Sequence, residues 1–197
     1  MMFDFTKNEI RDLIISVIIL AIAFSRFLSN FFFEGLLTMI IIITLVFVSH
    51  EMGHRTIARY FDAHAYYKIW PMGLILALIT SLFGFIFAAP GAVYISPIIK
   101  KNFAFTVARL SKKQFALIAA AGPIVNILIG FGLLAVTKFM ISLTILTQIA
   151  EISFFLAIFN MIPFPPLDGQ KIIGWDWRVW LILIGSAILG YMFLISV

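Results

Sequence analysis

Two histidines four residues apart, His50 and His54, bracket Glu51 in the run His50-Glu51-Met52-Gly53-His54. On a helix, positions i and i+4 share a face, so both imidazoles can reach one divalent cation. A carboxylate beside them can then take a proton from water activated by that cation. This is the chemistry of a metal-dependent hydrolase. Cysteine is absent and there are only three histidines in the chain, so any ligands come from His, Asp or Glu. The apolar run 36–48 leads straight into the motif, which points to peptide hydrolysis inside a bilayer.

A catalytic zinc ordinarily has three protein ligands and one open position. The candidates for the third are Asp168, His64, Glu151 and Asp176. Asp168 fits best, because Pro163, Pro165 and Pro166 end a helix just before it and Gly169 permits a sharp turn back toward the histidines. His64, in a polar loop, reads as an interfacial histidine. Glu151, in the middle of an apolar run, reads as a partner in a buried hydrogen bond between helices. A tetrahedral oxyanion needs a donor besides the metal. Asn160 is the first candidate and Asn126 the second, the other reading of each being a hydrogen bond that only joins helices.

The elements that must carry these groups are apolar. Hydrophobic residues make up 63% of the 197 and charged residues 12%, against about half and about a quarter in soluble domains. The expected fold is an all-α polytopic membrane protein of one domain, 1–197, with its core at about 36–170. About six transmembrane segments are expected, with a small re-entrant or β element and a three-span catalytic core. Full spans are expected at 13–33, 36–60, 115–136, 143–162 and 179–196, with a turn around Ser29, Asn30, Glu34 and Gly35. The first run should stay in the mature protein, since Asp4, Glu9 and Asp12 spoil a basic leader.

Run 72–89 is long enough to cross, but basic residues flank it on both sides, so it is expected to re-enter and return. Of the 14 Lys and Arg, only Arg26 and Lys138 are then external. The net charge of +5 reads as basic loops at an anionic membrane face rather than as a nucleic-acid surface. Residues 91–95 and 103–107 suit two short strands, with Ser96 and Pro97 between them, and a strand edge there could receive an unwound substrate. Tyr60, Tyr66, Tyr67, Trp70, Trp175, Trp177 and Trp180 suit an interfacial aromatic belt. The spans at 13–33 and 179–196 flank the core and are the expected gate. His50 lies about 21 Å along its span, hence about 9 Å from the cytoplasmic side of a core about 30 Å thick.

Three motifs in order, His50-Glu51-x-x-His54, Gly122-Pro123-x-x-Asn126 and Asn160-x-x-Pro163-x-Pro165-x-Leu167-Asp168-Gly169, resemble those of the site-2 protease family, which are intramembrane zinc metalloproteases. The resemblance covers about 36–170 and is closest to compact archaeal or bacterial members without appended domains. It implies one Zn2+ held by His50, His54 and Asp168, with Glu51 as catalytic base. It also implies a multi-pass protein of the cell membrane whose partners are the lipid bilayer and a transmembrane protein substrate, cut in regulated intramembrane proteolysis. The long 72–89 insert departs from the family's pattern. Two other readings stay open: a membrane metalloprotease acting on soluble or lipidated peptides, and a transporter with a structural metal site. Oligomeric state is not legible.

Overall fold

Helix dominates the computed structural model, which describes residues 5–28, 32–96, 98–101, 104–107, 110–141 and 143–196. Helix α1 (Lys7–Leu28) is followed by α2 (Phe32–Ile43), which runs through a π-helical turn (Thr44–Val48) into α3 (Ser49–Tyr60). Then come β1 (His64–Ile69), α4 (Pro71–Ser81), β2 (Gly91–Ser96), β3 (Ile98–Lys101) and β4 (Ala104–Val107). The chain closes with α5 (Lys112–Phe139), α6 (Thr144–Asn160), α7 (Asp168–Ile173) and α8 (Trp177–Ile195). Ser29, Asn30, Pro97 and residue 103 lie outside the described residues.

Among the described residues, three helices are long and apolar enough to cross a membrane: Gly35–Tyr60, Lys112–Phe139 and Trp177–Ile195. The expectation of about six spans is corrected to these three. Length and charge give the reason. Lys7, Glu9, Arg11 and Asp12 occupy the start of α1, which leaves 13–28 as apolar helix, about 24 Å long. Helix α6 has 17 residues and so spans about 26 Å, below the roughly 30 Å of a hydrocarbon core. Run 72–89 is a hairpin: α4 has only 11 residues, and an extended limb returns from Gly84 to Pro90. The Trp70 N–H donates to the Pro90 carbonyl at 2.8 Å, so both ends meet. Gly73 faces the Ala89 carbonyl so closely that a Cβ would overlap it.

The small β element expected beside the helices is present. β1 pairs antiparallel with β2, from His64 opposite Ser96 to Ile69 opposite Gly91, and β3 pairs with β4. The strand expected at 91–95 is β2 and that expected at 103–107 is β4 over 104–107, while the partner of β2 is the segment read as a polar loop. Alternation in Ala65-Tyr66-Tyr67-Lys68-Ile69 is the reason: Ala65 and Tyr67 are buried while Lys68 is exposed. Since Trp70 bonds to Pro90, the next bonded pairs fall at 68/92 and 66/94. Tyr67 and Ile69 on one strand, and Gly91, Val93 and Ile95 on the other, therefore turn their main-chain groups outward.

The outer edge of β1 is closed by α1. Glu9 Oε1 accepts from the Tyr67 N–H at 3.1 Å, and Asp12 Oδ2 accepts from the Ile69 N–H at 3.3 Å. Glu9 also caps its own helix, accepting from the Thr6 N–H while the Thr6 hydroxyl accepts from the Glu9 N–H. Arg55 of α3 donates to Glu9 Oε1 at 2.6 Å and lies over the Phe5 ring. Tyr67 is buried and hydrogen-bonded to Ser16, so it does not belong to an interfacial belt, whereas Tyr60 and Trp177 are exposed as such a belt requires.

The largest core cluster joins α1, α2 and α6 through Leu20, Phe24, Met39, Ile42 and Ile152. Phe154 of α6 fills the space that Gly130 of α5 and Gly190 of α8 leave open. Gly53 brings α3 against α5: a Cβ there would lie 2.8 Å from the Ala121 carbonyl oxygen. This tight seam sets the geometry of the histidines.

Candidate metal centre

The π-helical turn ends two residues before His50, and such turns are common at functional sites. His50 and His54 then sit one turn apart on the face of α3 that meets α5, and both are buried. Helix α5 answers them with residues four apart. Ile118 offers its carbonyl to His54 Nδ1 at 2.7 Å. Gly122 faces the two Nε2 atoms: a Cβ there would lie 2.6 Å from that of His50 and overlap that of His54. Asn126, fully buried, has its amide nitrogen 3.1 Å from His50 Nδ1.

The third group comes from the loop after α6. Its turns are closed by main-chain bonds, Phe164 to Ile162 and Leu167 to Phe164, and a cis peptide joins Pro165 and Pro166. Gly169 packs so closely on the Met161 carbonyl that a side chain would collide with it. The Trp180 indole donates to that same carbonyl at 2.6 Å, which ties the loop to α8. Trp180 is therefore an anchor of this loop and not a belt residue. Asp168, buried at the first turn of α7, points one oxygen at the histidines.

His50 Nε2 and His54 Nε2 are 3.0 Å apart, and Asp168 Oδ2 lies 3.5 Å and 3.1 Å from them. A tetrahedron with bonds of about 2.0–2.1 Å has edges of about 3.3 Å, so the three donors span one face of a zinc site. Among the described residues this is a group that could hold one metal ion. The donor chemistry agrees: the His54 Nδ1–H can donate to the Ile118 carbonyl, which frees Nε2 for the metal. Lys171 donates to the other Asp168 oxygen at 3.2 Å. Burial alone would push the Asp168 carboxyl up. The charges of His54 and Lys171, with hydrogen bonds to both histidines, outweigh it and hold the carboxyl well below the usual range.

A cavity of about 30 Å³ opens onto this group, lined by Glu51, Asn160, Lys171 and the β2 residues Gly91, Val93 and Ile95. One water requires about 10–15 Å³, so water can reside there. Glu51 Oε2 is buried without a hydrogen-bond partner among the described residues. Asn160 is on the cavity wall, one amide hydrogen given to the Leu156 carbonyl at 2.9 Å. Asn126 is behind His50 rather than on that wall.

The remaining candidates fall elsewhere. Asp176 caps α8, accepting from the Arg178 N–H. Glu151 faces Tyr191 across a separate apolar cavity. His64 opens β1, and its side chain is outside the described ones. Sequence reasoning missed Lys171, although its place three residues after Asp168 in the same helix was a signal. It missed the Ile118 carbonyl, for which a main-chain group leaves no signal. It also missed Glu9 as an anchor, although Thr6 and Glu9 have capping-box spacing.

The chain is 37% identical over 195 residues, 96% of its own length and 95% of the relative's, to a protein of Methanocaldococcus jannaschii named "Putative zinc metalloprotease". The chain belongs to this zinc metalloprotease family. No protein-family model matches it, and no solved structure does. Family membership and the His50, His54 and Asp168 donor set agree on one zinc ion as the cofactor.

Proposed function

We propose that this zinc metalloprotease is an intramembrane endopeptidase of the site-2 type, cutting transmembrane helices of membrane-protein substrates near the cytoplasmic side. The observation that carries this reading is the convergence of His50, His54 and Asp168 beside buried Glu51, on a helix of 26 residues that is apolar enough to cross a bilayer. The apolar part of α1, the α4 hairpin and α6 would fill the bilayer around the three helices that are apolar and long enough to cross. With α1 and α6 also crossing, Lys and Arg concentrate on one side, which supports a multi-pass arrangement with the site open to the cytoplasm.

When bound, zinc supplies a Lewis acid that activates water and polarises the peptide carbonyl. Glu51 takes the proton as water attacks the carbonyl carbon and delivers it to the leaving nitrogen while the C–N bond breaks. Asn160 turns its second amide hydrogen toward the developing oxyanion. Asn126 is left out of that role, because it lies on the far side of His50. Lys171 neutralises the outer Asp168 oxygen.

The substrate must be extended to be cut, because a helical peptide bond is already paired. The outward main-chain groups of Gly91, Val93 and Ile95 line the cavity and can take an unwound segment as an added strand. Helix-weakening residues near the scissile bond then speed cleavage. The test is purified protein in detergent with a transmembrane substrate, with and without chelator, beside Glu51→Gln. Cleavage that the chelator removes and the variant lacks is expected. Cleavage that survives either change contradicts the mechanism, and equal cleavage of a soluble peptide contradicts the membrane-substrate assignment.

A further inference from the structure

We propose that Asn126 is the positioning residue that fixes His50 as a ligand, its side-chain oxygen accepting the His50 Nδ1 hydrogen. The proposal rests on His50 Nε2 being a zinc ligand, as argued above.

A neutral imidazole carries one ring hydrogen. A ring that binds metal through Nε2 keeps that hydrogen on Nδ1 and needs an acceptor there. The two histidines meet this need differently. His54 faces a main-chain carbonyl, Ile118 O, which can only accept. His50 faces the Asn126 amide, which can accept or donate depending on which end is presented. With Nδ2 nearest, at 3.1 Å, an N–H would face an N–H in the ligating tautomer.

A half-turn of the amide exchanges its oxygen and nitrogen with almost no change of shape. Asn126 Oδ1 is buried and has no hydrogen-bond partner among the described residues, so no bond to it resists that turn. One amide end lacks a partner in either orientation, so the ring nitrogen decides. Turned, Oδ1 accepts from Nδ1–H and directs the Nε2 lone pair toward His54 and Asp168. Helix α5 thereby holds both rings from one stripe, with the Ile118 carbonyl and the Asn126 amide on either side of Gly122.

The test measures zinc affinity by chelator competition on the full purified chain and on Asn126→Leu and Asn126→Asp. Leucine keeps the volume and removes the acceptor, so zinc affinity should fall about 10- to 100-fold. Aspartate keeps the acceptor, so affinity should stay within a few-fold of the parent or rise. Parent-like affinity in Asn126→Leu, or equal loss in both variants, overturns the proposal. Proton and nitrogen NMR of ring-labelled histidine in the zinc-loaded chain adds a second readout: the His50 Nδ1 hydrogen should carry the downfield shift of a hydrogen-bonded proton and lose it in Asn126→Leu, and a shift that the variant leaves unchanged overturns the proposal. A parent chain that takes up no zinc removes the ligand assignment itself, a failure distinct from these.

Discussion

Two buried polar clusters border α3, and they are built to opposite rules. Around Glu9, every carboxylate oxygen is engaged: Glu9 holds Arg55, the Tyr67 N–H and the Thr6 N–H, while Asp12 holds Arg11 and the Ile69 N–H. Around His50, Glu51 Oε2 and Asn126 Oδ1 are buried without partners, and a cavity opens beside them. Carboxylates engaged at both oxygens rigidify a fold, whereas a buried carboxylate oxygen without a partner costs stability and persists where function needs it. The same contrast divides the two strand edges. The β1 edge is capped by two carboxylates, and the β2 edge is left toward the cavity.

Glu51→Gln should therefore produce the largest effect, and on activity alone. Cleavage should fall by about 100-fold or more, while the unfolding midpoint holds or rises because an unpartnered carboxylate is gone. Assayed together, a large loss of stability would place Glu51 in the structural class. Glu9→Ala should do the reverse. It removes the acceptor that Arg55 and the Tyr67 N–H share at Oε1 and the one that caps the Thr6 N–H, at a cost of about 1–3 kcal/mol, read by denaturation in detergent, while the folded fraction keeps its zinc. Loss of zinc from folded Glu9→Ala would erase the distinction between the clusters.

Gly122→Ala should come next, with zinc affinity about tenfold lower, because the added methyl meets both Nε2 atoms. Unchanged zinc affinity would mean that the α3 and α5 seam is looser than it looks. Lys171→Met should have the smallest effect, a few-fold loss of zinc affinity with Lys171→Arg restoring it, since a half-exposed ammonium is screened by solvent. A loss as large as that of Gly122→Ala would mean that solvent does not screen the Lys171 and Asp168 pair.

Much of the site was legible because its chemistry is local. The i, i+4 histidines and the proline-broken loop before Asp168 needed only helix geometry to be read. The three long helices were legible to within a few residues, since 36–48 and 179–195 are long apolar runs. What was lost was whatever depends on a distant partner. Glu9 and Asp12 read as charges at the start of an apolar run, and only the fold brings β1 to them. His64–Ile69 read as loop because its alternation is five residues long and its pairing partner lies across the α4 hairpin. Asn126 read as an oxyanion donor because depth in the membrane was the only coordinate available. Its actual neighbour, His50 Nδ1, is set by the close approach that Gly53 and Gly122 allow.

The central claim is that His50, His54 and Asp168 together hold one zinc ion. Metal analysis of the purified chain by mass spectrometry, beside His54→Ala and Asp168→Ala, tests it most directly. One zinc per parent chain is expected, and almost none in either variant. A parent chain free of stoichiometric zinc, or variants that retain it, would contradict the account.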